Sequence, residues 1–62
     1  MSIKIISEYL SDDGKRTSTV YKVLEDGDYR VSVKNESGST FSSSFDSVDT
    51  AEDFAEDWVK NA

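Results

Sequence analysis

The sequence predicts an α+β fold: an antiparallel β-meander of three to four strands (β-β-β-β-α), with one C-terminal amphipathic helix packed on one sheet face. Three observations predict it. Each of the three glycines closes a short polar segment, at Asp12-Asp13-Gly14, Glu25-Asp26-Gly27 and Glu36-Ser37-Gly38. The stretches between them are rich in β-branched and aromatic residues. Beyond Ser47 the apolar spacing changes from that of a strand to that of a helix. A chain of 62 residues is one domain, 1–62.

The elements follow in order. A three-residue hairpin loop is a type I turn followed by a left-handed residue, where glycine is favoured. Taking all three glycines this way predicts strands at about 2–11, 15–24, 28–35 and 39–45. The first loop then sets Ile5 opposite Tyr21 and Ile3 opposite Val23. The second sets Val23 opposite Tyr29 and Tyr21 opposite Val31. The third sets Val33 opposite Phe41 and Tyr29 opposite Phe45. Facing residues share a side and side chains alternate. One face therefore collects Ile3, Ile5, Tyr9, Tyr21, Val23, Tyr29, Val31, Val33, Phe41 and Phe45.

Residues 37–47 hold six serines, the composition of a linker. Phe41 and Phe45 nevertheless reach the apolar face in this register, which predicts a fourth, edge strand. A helix at about 48–60 follows. Val48, Ala51, Phe54, Ala55, Trp58 and Val59 form its apolar arc, and Asp49, Glu52, Asp53, Glu56, Asp57 and Lys60 the opposite one. Ser47 can cap it, with Asp49 and Glu52 as an alternative capping box. Trp58 and Phe54 are its expected anchors on the sheet.

The second sheet face is predicted to carry Lys4, Ile6, Glu8, Leu10, Arg16, Ser18, Val20, Lys22 and Leu24, then Arg30, Ser32, Lys34, Thr40, Ser42 and Ser44. That would gather five of the seven basic residues on the open face. The formal net charge is −6. Residues 1–35 balance six bases against six acids, so the excess lies beyond them, mostly on the helix. The expected molecule is two-faced, with a basic, partly apolar sheet and an acidic helix. Such an acidic balance opposes non-specific binding of nucleic acid or anionic membrane.

The chain has no Cys and no His. Disulfides are excluded, as is zinc ligation by thiolate or imidazole. No nucleophile elbow, phosphate-binding loop or dinucleotide fingerprint is present. The acids of the loops and the helix, Asp26, Asp28, Asp46 and Asp49 among them, lack EF-hand spacing. The expectation is a non-enzymatic protein with no cofactor, metal or small-molecule ligand. Residues 3–9 are too interrupted for a signal-peptide core, and no apolar run approaches the roughly 20 residues of a membrane span. With no Cys, a cytoplasmic setting is expected.

Function is expected to lie in binding a protein, or a second copy of the chain. One candidate surface is the open sheet face: Ile6, Val20 and Leu24, ringed by Lys4, Lys22 and Arg30. The other is the acidic helix, where Asp49, Glu52, Asp53, Glu56 and Asp57 would imitate phosphates and occupy a basic groove. The basic sheet face without aromatics argues against stacking on single strands. The strand-then-helix order resembles the small sheet-and-helix arm domains of phage-type integrases. The short, acidic, Cys-free composition is similar in character to phage accessory proteins that bind host factors.

Overall fold

A computed structural model describes residues 2–60. Met1, Asn61 and Ala62, part of the expected domain 1–62, lie outside the described residues. Four strands, β1 (Ile3–Leu10), β2 (Thr17–Val23), β3 (Tyr29–Lys34) and β4 (Thr40–Phe45), form one antiparallel sheet in the order β1-β2-β3-β4. The helix α1 (Val48–Lys60) packs on one of its faces. The meander, the fourth strand and the helix are those the sequence predicts.

Local chemistry explains the parts that match. Asn35 accepts hydrogen bonds through Oδ1 from the Ser37 and Ser39 N–H groups, both at 3.1 Å. This side-chain turn closes a three-residue loop, with Gly38 at φ +88° and the Asn35 N–H bonded to the Ser39 carbonyl. Val33 faces Phe41 and Tyr29 faces Phe45, as expected. Ser47 caps α1: its Oγ accepts from the Thr50 N–H at 3.3 Å. The Asp49–Glu52 alternative is not used: Ser47 takes the cap, Asp49 lies within the first turn of α1, and Glu52 accepts from Ser7 on β1.

The first two loops each hold four residues, not three. In the first, Ser11 pairs with Arg16 through backbone N–H to carbonyl, and residues 12–15 are the loop. Side chains build it: Ser11 Oγ donates to Asp13 Oδ1 at 2.7 Å and accepts from the Arg16 N–H, while Asp13 Oδ1 also accepts from the Lys15 N–H. In the second, residues 24–27 make one helical turn, closed by the Gly27 N–H on the Val23 carbonyl at 2.8 Å. Gly27, at φ +75°, then returns the chain so that Val23 pairs with Asp28.

One added residue shifts the second register by one, which turns every side chain of a strand to the other face. Val20 faces Val31, Tyr21 faces Arg30 and Lys22 faces Tyr29. The expected Tyr21–Val31 and Val23–Tyr29 pairs do not form. In β1 the shift is absorbed partway. Ile3 still faces Val23 and Ile5 faces Tyr21, but Ser7 faces Val20, so Ile6 is the extra residue of a β-bulge.

The core follows from these registers. Val20, Val31, Val33, Ala51 and Ala55 are buried together, with Ile6, Tyr9, Tyr29, Phe45 and Trp58 packed around them. The helix meets the sheet through alanines, so it lies close. On β2, compact Val20 and Ser18 fit beneath it, where Tyr21 would not. Trp58 is half-buried at the flank and Phe54 is 36% exposed. Trp58 and Phe54 thus border the contact that Ala51, Ala55 and Val59 fill.

Candidate interaction surface

The open face of the sheet, opposite α1, is built from the residues that alternate with the core set. On β1 these are Ile3, Ile5, Glu8 and Leu10, and on β2 Thr17, Thr19, Tyr21 and Val23. On β3 and β4 they are Arg30, Ser32, Lys34, Thr40, Ser42 and Ser44. Ile3 and Ile5 are 48% and 50% exposed, side by side, with half-buried Tyr21 across the ladder. Val23 is buried but stands outside the core cluster beneath the helix. The open face therefore carries an aliphatic and aromatic patch at one end and hydroxyl side chains over most of the rest.

The candidate cluster expected on this face is not brought together. Val20 is fully buried under α1, and Ile6 packs into the same core through the bulge. Lys4 faces Lys22 on the helix side of the sheet. The Lys22 ammonium lies 5.6 Å from the Tyr29 ring centroid. Leu24 sits in the second loop, exposed, with its N–H on the Ser2 carbonyl. Of the six, Arg30 alone is on the open face. Its Nη2 lies 3.6 Å from Asp26 and 3.5 Å from Asp28, and its buried Nε has no hydrogen-bond partner.

The open face is consequently not the basic surface expected. Arg16 joins the helix instead, donating from Nη1 to the Trp58 carbonyl at 3.2 Å while its guanidinium stands 4.9 Å over the indole. Two bases, Arg30 and Lys34, remain on the face, against Glu8. Sequence reasoning missed Ile3, Ile5 and Tyr21 as surface residues. The signal that could have found them is the pair Ala51 and Ala55, whose small side chains ask for compact residues opposite.

The acidic helix residues divide by flank. Glu52 accepts from Ser7 Oγ at 2.6 Å, which marks the flank toward β1. Glu56 lies one turn further along that flank and pairs with Lys60 at 2.6 Å, a bond that raises the Lys60 pKa. The Phe54 ring is 5.3 Å from that of Phe45, which marks the flank toward β4. Asp49, Asp53 and Asp57 are exposed.

Tyr9, Leu10, Asp13, Glu56 and Lys60 border a depression of about 460 Å³ between the first loop and α1. Two of its carboxylates, Asp13 and Glu56, are engaged. The hydrogen bond from Ser11, with that from the Lys15 N–H, holds Asp13 below the usual carboxylate pKa. Among the described residues no group of three or more His, Cys, Asp or Glu side chains could hold a metal ion. No described helix is long and apolar enough to cross a membrane. No family model matches the chain, and neither a curated protein nor a solved structure matches it.

Proposed function

We propose that this chain is a small non-enzymatic interaction module that binds a partner protein through the open sheet face, in the manner of a cytoplasmic phage-type accessory protein engaging a host factor. One observation carries the reading: Ile3 and Ile5 stand half-exposed beside Tyr21 on a face that no described element covers. Contiguous apolar surface of this kind marks interaction sites on small soluble domains. Arg30 and Lys34 would border the bound partner and set its orientation.

Affinity capture from the native host tests it. A tagged wild-type chain should retain a partner that the Ile5→Glu variant loses, with both chains equally folded by circular dichroism. Equal retention by the two would reject the face.

A second reading uses the helix as a mimic of nucleic-acid phosphates. Asp49, Asp53 and Asp57 are exposed one turn apart, at steps of about 6 Å. Glu52 and Glu56 lie on the flank toward β1, where they accept from Ser7 and Lys60, and extend the same acidic surface. Binding to a basic groove should then weaken steeply with salt. Replacing Asp49, Asp53 and Asp57 with Asn and finding unchanged affinity would exclude this reading.

A further inference from the structure

The sheet has two free edges, and they are built differently. β1 carries Lys4, Glu8 and the bulge at Ile6, all features that discourage an added strand. β4 has none of them. Its six residues include no charge and no proline, and they pair with β3 without a shift. The bond from the Asn35 N–H to the Ser39 carbonyl sets the phase of that ladder. Phe41, Ser43 and Phe45 therefore turn their backbone groups toward β3, and the N–H and C=O of Thr40, Ser42 and Ser44 point away from the sheet.

We propose that β4 is a self-association edge, through which two copies pair antiparallel into one eight-stranded sheet about a two-fold axis at Ser42. The pattern is self-complementary. Ser42 meets the partner's Ser42, and Thr40 meets the partner's Ser44, so every outward donor and acceptor of both strands is used at once. On the helix side, Phe41 is 59% exposed. In this register it lies diagonal to both the partner's Phe41 and the partner's Phe45, within reach for aromatic side chains.

Self-complementarity selects a second copy as the occupant, and the local charges do not oppose it. The two edges that meet are uncharged. The helix flank beside β4 carries Thr50, Phe54 and Trp58, and its one acid, Asp57, shares a shallow depression with Arg16. Asp49, Glu52 and Glu56 lie on the far flank, so closing the two β4 edges keeps those carboxylates apart. Each copy still brings a net charge of −6. Dimerisation should consequently strengthen with added salt, the reverse of binding to a basic groove. The dimer would place both copies of the Ile3–Ile5–Tyr21 patch on one side of a continuous sheet.

Sedimentation equilibrium tests the proposal on the full chain. The wild type should show a dimer of the 6.9 kDa chain. Ser42→Lys puts like charges directly opposite each other across the axis. Ser42→Pro removes an outward N–H that β3 does not use, which the edge of a folded sheet accommodates. Each should weaken the dimer roughly tenfold or more, with the monomer still folded by circular dichroism. Mixing Ser42→Lys with Ser42→Glu should restore it as a heterodimer. A wild type that stays monomeric to about 1 mM, or a dimer indifferent to Ser42→Lys and Ser42→Pro, overturns the proposal. Ile5→Glu should leave the dimer intact, which separates this edge from the partner-binding face.

Discussion

Ser18 Oγ donates a 3.0 Å hydrogen bond to the carbonyl oxygen of Ala55, in the buried seam where β2 passes under α1. A side chain on a strand can reach a helix backbone only where the two lie close, and Ala51 and Ala55 permit that approach. Ser18→Ala should cost about 1 kcal/mol, the net worth of an ordinary hydrogen bond. Ala55→Leu would force the helix away and should cost about 1–3 kcal/mol or more. Urea denaturation measures both. A neutral Ala55→Leu variant would contradict the close seam.

Arg16 and Trp58 form a second clasp between sheet and helix. The guanidinium bonds the Trp58 carbonyl and covers the indole face. Lysine cannot supply both the planar stack and the fork of donors, so Arg16→Lys should lose about 0.5–1 kcal/mol. Trp58→Ala should cost about 3 kcal/mol, the low end for a tryptophan, because the ring is half-buried. The same denaturation curves would show the order of the two effects.

Asp13 links the first loop to pH. Its folded-state pKa is lowered, chiefly by the Ser11 hydroxyl and then by the Lys15 N–H. A lowered carboxyl pKa stabilises the fold above the unfolded value, about 4. That contribution disappears as pH falls through the folded value. The loop should therefore loosen only in acid. Ser11→Ala should move the Asp13 titration, followed by NMR, up toward the ordinary carboxylate value. An unmoved titration would refute the hydrogen-bond origin.

The helix and the third hairpin were legible in the sequence because their signals are local. The apolar period over Val48–Lys60 and the cap at Ser47 need no tertiary information. Asn35 bonds residues two and four positions ahead, so it specifies its own loop. The first two loops were not legible in the same way. Their glycines suit three- and four-residue loops equally, and β2 carries apolar residues on both faces, Val20 on one and Tyr21 and Val23 on the other. Alternation could not choose between them. The choice lies in packing against Ala51 and Ala55, a contact made 30 or more residues away along the chain. That single shift moved Val20 and Ile6 inward and left Ile3, Ile5 and Tyr21 facing out.

The second loop tests its own geometry. Gly27 adopts φ +75° with nothing within 4 Å of an added Cβ. Gly27→Ala should thus cost about 1–2 kcal/mol from backbone conformation alone, while Gly27→Asn, which tolerates that region better, should lose less. Equal losses would point to a steric cause instead.

The placement of the β1 and β2 residues on the open face depends on the register of β2 against β3, and proton NMR reads that register directly. Val20 and Val31 form a pair whose backbones do not bond each other, so their Hα protons should be close enough for a strong cross-strand contact, as should those of Lys22 and Tyr29. Those two contacts would establish the core of Val20, Val31 and Val33 and leave Ile3, Ile5 and Tyr21 on the open face. Contacts from Tyr21 to Val31 and from Val23 to Tyr29 would instead return the three-residue loop, turn Val20 outward and contradict the account.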